Sequence, residues 1–523
     1  MKRREFNKAI GLYAATAGIT STSARAANPP PTDQPGRRPN LLYIFPDQYR
    51  LHALSLWRAP AFQHAIRGVS DPVETPHLDA LARESVVLNQ ACSTHPVCSP
   101  HRAMLMSGMY PRQNGVMHMN CKAGRTQGLK HGITCFTDVL AAEGYETAYV
   151  GKTHWERTEP LFDKENRYVG TAEEPGGHYA NPFDTYIPPG PGRRGNRYWF
   201  QNIGDRHKDP LSYSNRPELV DGKPDGHPHR FRRFTPTQEA DIAVDYLKNE
   251  SGQRDASKPF SLIWSPNPPH NPYSDVDRDC DRAVYEALYA DMPLEEALNR
   301  PNVAPTKDNL AERAARIYYA LVSSIDQQVG RVLQALKESG QADNTLVVFT
   351  SDHGELLGSH GKMGKNLIYD ESFLVPYLIR FPGVLQPRID DLLLGSVDIM
   401  PTMLSLLGLS QSIPDTVQGF DYASGLRDGV YTEAPKPRSA LYLNGRNKKG
   451  VRTDRYTYLV HADDKPELYD NTADPYQTTS ISLDEVDQSE IQTLKDELGR
   501  WLVRANDEWC DTQKRSDLIN YPS

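Results

Sequence analysis

Four short apolar runs, each leading to polar residues able to do chemistry, constrain the fold of this 523-residue chain more than any other feature. Leu41-Leu42-Tyr43-Ile44-Phe45 runs into Pro46-Asp47-Gln48, and Glu146-Thr147-Ala148-Tyr149-Val150 runs into Gly151-Lys152-Thr153-His154. Phe260-Ser261-Leu262-Ile263-Trp264 leads towards His270, and Thr345-Leu346-Val347-Val348-Phe349 into Ser351-Asp352-His353-Gly354. Apolar runs of this kind suit strands buried on both faces. Helical patterns lie between them, at Thr75 to Glu84, Cys135 to Glu143, Pro236 to Leu247 and Leu310 to Glu338. The alternation predicts an α/β protein built on a large, mostly parallel sheet sandwiched by helices. Ligands of such sheets sit beyond the carboxyl ends of the strands, where all four runs deliver their polar residues.

The rest of the chain is arranged around that core. Between about Pro182 and Phe234 the pattern gives way to Gly, Pro, Arg and His, which reads as a long loop insertion lining the mouth of a site. Within it, His227, His229 and Arg230 form a cationic cluster that reads as solvated loop. From about Ile413 the character changes: Ser439 to Asn444 and Arg455 to Val460 read as antiparallel strands, and Leu494 to Val503 as a closing amphipathic helix. We therefore expect a catalytic α/β domain over 38–412 and a smaller C-terminal α+β domain over 413–523.

The opening Lys2-Arg3-Arg4-Glu5-Phe6-Asn7-Lys8, the weakly apolar Ala9 to Thr20 and the small-residue Ala24-Arg25-Ala26 read as a twin-arginine-type signal peptide over residues 1–27. That expectation places the protein outside the cytoplasm, in the periplasm. No later stretch approaches ~18 consecutive apolar residues, so no membrane span is expected. A formal net charge of -8 gives no support to a nucleic-acid partner, and an anionic ligand must be drawn in by a local basic pocket. The six cysteines, Cys92, Cys98, Cys121, Cys135, Cys280 and Cys510, are too few and too scattered for a disulfide scaffold, and their pairing stays open.

The sharpest local signal is Cys98-Ser99-Pro100-His101-Arg102, followed by Ala103-Met104-Leu105-Met106-Ser107-Gly108. Pro100 suits the first turn of a helix, where its missing N–H costs nothing. Cys98 then lies at the helix N-terminus, where free N–H groups and the dipole attract an anion. Arg102, four residues on, returns to the same face.

This stretch resembles the C-x-P-x-R motif of the formylglycine-dependent sulfatases, members of the alkaline phosphatase superfamily, and further motifs extend the resemblance over roughly Pro39 to Thr478. Asp47-Gln48 and Asp352-His353 match the two strand-end pairs with which that family holds a divalent cation, the oxidised Cys98 side chain completing the shell. Gly151-Lys152-Thr153-His154 is similar to the family's G-K-x-H, Pro269-His270-Asn271-Pro272 to its P-H-x-P, and Gly364-Lys365 with Tyr369-Asp370 to its G-K-x-x-x-Y-[ED]. Gly450-Val451-Arg452-Thr453-Asp454-Arg455-Tyr456 and Glu467-Leu468-Tyr469-Asp470 with Asp474-Pro475 resemble the structural ends of bacterial members. Lys362 has no matching motif position, and His360 is at most a lining residue.

What the resemblance implies is specific. The fold would be alkaline-phosphatase-like. A maturation enzyme would oxidise Cys98 to formylglycine, whose hydrate attacks sulfur and whose second hydroxyl later expels sulfate. Arg102, Lys152 and Lys365 would hold nucleophile and sulfate oxygens, His270 would protonate the leaving alcohol, and His154 would trigger sulfate release. The substrate would be an organic sulfate ester, with family habit and export pointing to a sulfated carbohydrate. Many relatives carry Asp-Asp and Asp-Asn where this chain has Asp47-Gln48 and Asp352-His353. Calcium is the first choice of metal, with manganese and zinc left open by the imidazole. The same Gln and His choice resembles the phosphonate monoester and phosphodiester hydrolases on this scaffold, which stand as the alternative reading.

Overall fold

In the computed structural model, which describes residues 38–119, 127–156, 186–203, 206–230, 232–432 and 436–522, the four apolar runs are strands. They are β1 (Asn40–Ile44), β3 (Glu146–Gly151), β7 (Phe260–Ser265) and β8 (Thr345–Thr350). Their side chains alternate between two cores, as a strand's two-residue period dictates. Leu42 and Ile44 pack with Leu262, Trp264, Val347 and Phe349 on one face. Leu41 and Tyr43 pack with Ile263, Leu346 and Val348 on the other. A run buried on both faces is pressed towards apolar residues, which is why these strands read as mostly apolar segments, interrupted inside by Thr147 and Ser261.

Six more strands complete the sheet: β2 (Val86–Leu88), β4 (Tyr198–Ile203), β5 (Leu211–Ser214), β6 (His229–Arg230), β9 (Tyr377–Arg380) and β10 (Arg388–Asp390). The order is β10-β2-β9-β8-β1-β7-β3-β4-β5-β6. Its centre, β8-β1-β7-β3-β4, is parallel throughout, and only β9 and β5 run against the other eight. The helix Leu310–Glu338 covers one face together with Thr235–Lys248 and Pro76–Arg83. It turns Ala311, Ala314, Ala315, Tyr318, Val322, Ile325 and Val329 inwards at three- and four-residue spacing.

The stretch from Pro182 to Phe234 differs from its expectation as a loop. The described part of it supplies β4, β5 and β6, which extend the sheet by three strands. Tyr198-Trp199-Phe200 pairs in parallel with Ala148-Tyr149-Val150, and burial of those aromatics outweighs the turn-forming residues around them. His229 and Arg230 are thus an edge strand, with His229 beside Asp221, while His227 is exposed.

The C-terminal region carries a separate antiparallel sheet, β11 (Ser439–Asn444), β12 (Lys448–Thr453), β13 (Tyr456–His461) and β14 (Glu467–Asp470), in that order. The helix Gln488–Arg504 packs Leu494, Leu498 and Leu502 against Leu441, Leu443, Val451 and Tyr458 on one of its faces. Ala440, Tyr442 and Leu459 turn the other way, into the core of the large sheet. Arg452 on β12 ties the small sheet to the helix Asp370–Phe373 of the larger domain through a buried pair with Asp370, at 2.7 and 2.8 Å. Cys92, Cys98, Cys135, Cys280 and Cys510 are free thiols. Cys121 and the leader over 1–27 lie outside the described residues. No helix among the described residues is long and apolar enough to cross a membrane.

Candidate active site

The helix Cys98–Ser107 begins at Cys98 itself, and no side chain caps it, since the preceding residue is Val97. Pro100 brings no N–H and His101 N donates to the Val97 carbonyl at 3.1 Å, so what this end offers an anion is chiefly the helix dipole. The Cys98 sulfur is fully buried. His353 Nε2 lies 3.2 Å from it, Lys365 Nζ 3.2 Å and Asp47 Oδ1 3.7 Å. Asp47 comes from the end of β1, His353 and Asp352 from the end of β8, and Lys365 from the loop that follows.

Arg102 returns to the same point one turn along the helix, fully buried and spent on four acceptors. Its Nε donates to Asp352 Oδ2 at 3.0 Å and its Nη2 to Asp47 Oδ2 at 3.2 Å. Its Nη1 donates to the Lys152 carbonyl at 2.9 Å and to Ser265 Oγ at 2.7 Å, and its guanidinium lies over the Phe45 ring. A guanidinium fixed in this way ties the ends of β1, β3, β7 and β8 together.

Lys152 Nζ makes a 2.7 Å pair with Asp47 Oδ2. The backbone on either side of it leaves the extended conformation of β3, since Gly151 has φ 113° and His154 φ 60°. His154 is nonetheless buried within the field of Lys152, Arg102 and Asp47. Gly151 has no room for a side chain: a Cβ would lie 2.2 Å from the Ser265 carbonyl oxygen, in a backbone conformation that L-residues avoid. Gly151→Ala is expected to destabilise the protein by more than about 2 kcal/mol and to displace Lys152, read as a lower denaturation midpoint together with a fall in kcat.

Burial by itself would raise the Asp47 carboxyl, but the surrounding positive charge, that of Lys152 foremost and then Lys365, reverses this and holds it well below the usual range. Asp352 goes the other way, pushed up to about 6 by burial and by the neighbouring Asp47 charge. His353 donates from Nδ1 to the Gly354 carbonyl at 3.0 Å, which leaves the Nε2 lone pair facing inwards. That lone pair looks at Asp47 Oδ1 and Asp352 Oδ1, each 3.6 Å away. Acceptor atoms from Asp47, Cys98, Asp352 and His353 all lie within 4.8 Å of one another. Two carboxylates and an imidazole lone pair gathered this closely fit a cation.

Gln48 completes the rim. Its backbone N–H donates to Asp352 Oδ1, and its side-chain oxygen accepts from Lys365 Nζ at 2.6 Å. Its amide nitrogen is held by Tyr273 Oη at 3.1 Å and by the Glu355 carboxylate. His270 is 7% exposed and donates from Nδ1 to the Asn271 carbonyl at 2.8 Å. Burial, Lys365 and Lys152 hold it in the neutral form. Burial, Lys152 and Arg102 do the same to His154.

The structure thus gathers Asp47, Gln48, Cys98, Arg102, Lys152, His154, His270, Asp352, His353 and Lys365. It leaves Lys362 exposed and stacks His360 on Tyr369 at 3.6 Å, beside Asn302. Sequence reasoning missed Ser265, although it ends β7 where strand-end logic points, and Glu355, three residues beyond Asp352. It also missed Asn267, which is 5% exposed with neither side-chain atom hydrogen-bonded.

The part played by the small sheet had no sequence signal. Asn366, beside Lys365, has φ 73° and donates its N–H to the Pro96 carbonyl at 3.0 Å. Its own carbonyl accepts from Tyr442 Oη at 2.9 Å and Asn444 Nδ2 at 3.0 Å, both on β11. Leu443 N donates to the Thr94 carbonyl at 2.7 Å. The C-terminal sheet therefore buttresses both the turn before Cys98 and the loop bearing Lys365.

A parallel-centred sheet whose strand ends set acids and cations around a residue at a helix N-terminus defines a hydrolase of the alkaline phosphatase superfamily. The sulfatase family model matches residues 39–409, and the model for the C-terminal region of N-sulphoglucosamine sulphohydrolase matches residues 358–504. The chain is 38% identical to an endo-4-O-sulfatase of Bacteroides thetaiotaomicron, over 96% of this chain and 100% of that protein. It is 30% identical to an ulvan-active sulfatase of Formosa agariphila, over 93% and 84%. A solved structure from work on glycosaminoglycan metabolism by Bacteroides thetaiotaomicron superposes with a TM-score of 0.84 at 38% identity, covering 93% of this chain and 100% of that one. The chain belongs to the sulfatase family and is a sulfuric ester hydrolase.

Proposed function

We propose that the protein removes sulfate from sulfated carbohydrate outside the cytoplasm, with an oxidised Cys98 as nucleophile. The observation that carries this reading is the convergence of Asp47, His353 and Lys365 within 3.7 Å of the Cys98 sulfur. Oxidation of that thiol to formylglycine by a maturation enzyme supplies, on hydration, a hydroxyl for attack and a second for release. Asp47, Gln48, Asp352, His353 and the oxidised side chain would hold a divalent cation, calcium first, with manganese and zinc open. Bound there, such an ion neutralises sulfate oxygens and acidifies the attacking hydroxyl.

The chain's own residues do the rest. Lys365 and Lys152 place positive charge beside the sulfur and so favour a developing oxyanion. Arg102 keeps Asp47 and Asp352 ionised and aligned. The neutral imidazole of His154 accepts a proton from the remaining hydroxyl, which releases sulfate. A bound sulfate ester adds negative charge beside His270, drawing a proton onto Nε2 for transfer to the departing alcohol.

Names of relatives support the carbohydrate part of the reading: an endo-4-O-sulfatase and an ulvan-active sulfatase are among them. The leader over 1–27 supports export to the periplasm. We further read 38–412 as the catalytic domain and 413–523 as a subdomain, a division supported by the separate antiparallel sheet.

Gln48 and His353 favour a second reading, hydrolysis of phosphonate monoesters or phosphodiesters. Chelator-stripped enzyme given back calcium, manganese or zinc, and assayed in parallel on an aryl sulfate and an aryl phosphonate, separates the two. The proposed activity gives a kcat/KM for sulfate at least about 100-fold the higher with the native metal. A preference for phosphonate with every metal overturns it.

A further inference from the structure

We propose that a cavity beside the catalytic cradle binds a second anionic group of the substrate, a carboxylate or sulfate on the sugar next to the one being desulfated, and that Arg313 recognises it. This rests on the sulfatase reading above. The cavity has a volume of 420 Å³, enough for one sugar unit, and is lined by Gln48, Asn271, Tyr273, Leu310, Arg313 and Met363 among others. Three of its walls place it against the reaction centre. Gln48 accepts from Lys365 Nζ, which itself lies 3.2 Å from the Cys98 sulfur, Asn271 follows His270, and Gly364 precedes Lys365. A chain substrate whose sulfate lies between His270 and Lys365 has this cavity as an adjoining space for the neighbouring residue.

The lining has the two components that a charged sugar needs. Tyr273, Met363 and Leu310 provide apolar surface for a ring face, and Leu310 is 41% exposed. Arg313 supplies the charge. It is exposed, and no hydrogen bond or ion pair engages its guanidinium among the described residues. Glu355, the carboxylate on the same wall, does not neutralise it. Its two oxygens are occupied by the Gln48 amide and by the backbone N–H groups of Leu357 at 2.9 Å and Gly364 at 2.6 Å. An unspent planar guanidinium at the rim of such a cavity matches a carboxylate or sulfate in a bidentate manner.

The test compares three sulfated disaccharides that differ only in the neighbouring sugar: one with a carboxylate, one with a sulfate, and one with a neutral hydroxymethyl in place of either. Wild type, Arg313→Gln and Arg313→Lys are each assayed for kcat and KM. The expected result is that wild type prefers an anionic neighbour, and that Arg313→Gln erodes this preference about tenfold or more through KM. Arg313→Lys is expected to retain part of it. Whether the carboxylate or the sulfate substrate shows the larger loss identifies the anion. Equal effects of Arg313→Gln on all three disaccharides, or none on any, overturn the proposal. Calorimetric titration with the corresponding desulfated disaccharides keeps the test independent of turnover. Loss of wild-type desulfation together with Arg313-dependent binding of the anionic disaccharides contradicts the sulfatase reading and leaves the subsite standing.

Discussion

Cys98→Ala is expected to abolish hydrolysis of an aryl sulfate, a loss on the order of 10⁴-fold or more in kcat, while leaving the fold intact. The size follows from what is removed. Every other charged group in the pocket aligns or neutralises, and only position 98 supplies the atom that attacks. Alanine fits at the start of the Cys98–Ser107 helix, and no disulfide depends on the thiol, so thermal stability should change little. Cys98→Ser is equally inactive unless the host also oxidises serine. Wild-type kcat retained by purified Cys98→Ala would mean that another group attacks, and the mechanism proposed for this pocket would be wrong.

Asp47→Ala is expected to cost stability as well as activity. The Asp47 carboxylate, fully buried, faces Lys152 at 2.7 Å, Arg102 at 3.2 Å and Lys365 at 4.0 Å. Removing it leaves three cations crowded in a buried pocket without the carboxylate that all three face. Breaking a buried pair in this way typically costs about 3–5 kcal/mol. The denaturant midpoint of the variant should fall accordingly, and its kcat should drop below detection because Lys152 and Lys365 lose the group that positions them. Asp47→Asn keeps the shape and isolates the charge: its stability should lie between those of wild type and Asp47→Ala, with activity still lost. A midpoint for Asp47→Ala within experimental error of wild type contradicts this electrostatic account.

Much of the architecture was legible because burial on both faces keeps a strand predominantly apolar. The expected segments at 41–45, 146–150, 260–264 and 345–349 match β1, β3, β7 and β8 to within one residue at each end. The helix expected over Leu310 to Glu338 forms over that span. Strand-end logic then brought Asp47, Lys152, His270 and Asp352 together, because parallel strands place their carboxyl ends on one side. What stayed hidden depends on pairing rather than on local pattern. β6 is a two-residue edge strand made of His229 and Arg230, and it exists because β5 lies beside it. β12 reads Lys448-Lys449-Gly450-Val451-Arg452-Thr453, a polar run that is a strand only between β11 and β13. The Asn366 junction needs residues 76 and 78 positions away, Tyr442 and Asn444, and no spacing rule reaches so far. The twist at Gly151 and His154 was hidden for a related reason: the close approach to the Ser265 backbone, rather than the residues themselves, demands it.

The most direct measurement is mass spectrometry of the peptide carrying residue 98, taken from a preparation whose turnover of an aryl sulfate has just been recorded. An aldehyde is expected at that position, trapped by a hydrazine reagent, in a fraction that tracks specific activity from batch to batch. An active preparation in which residue 98 is entirely a plain thiol would contradict that expectation.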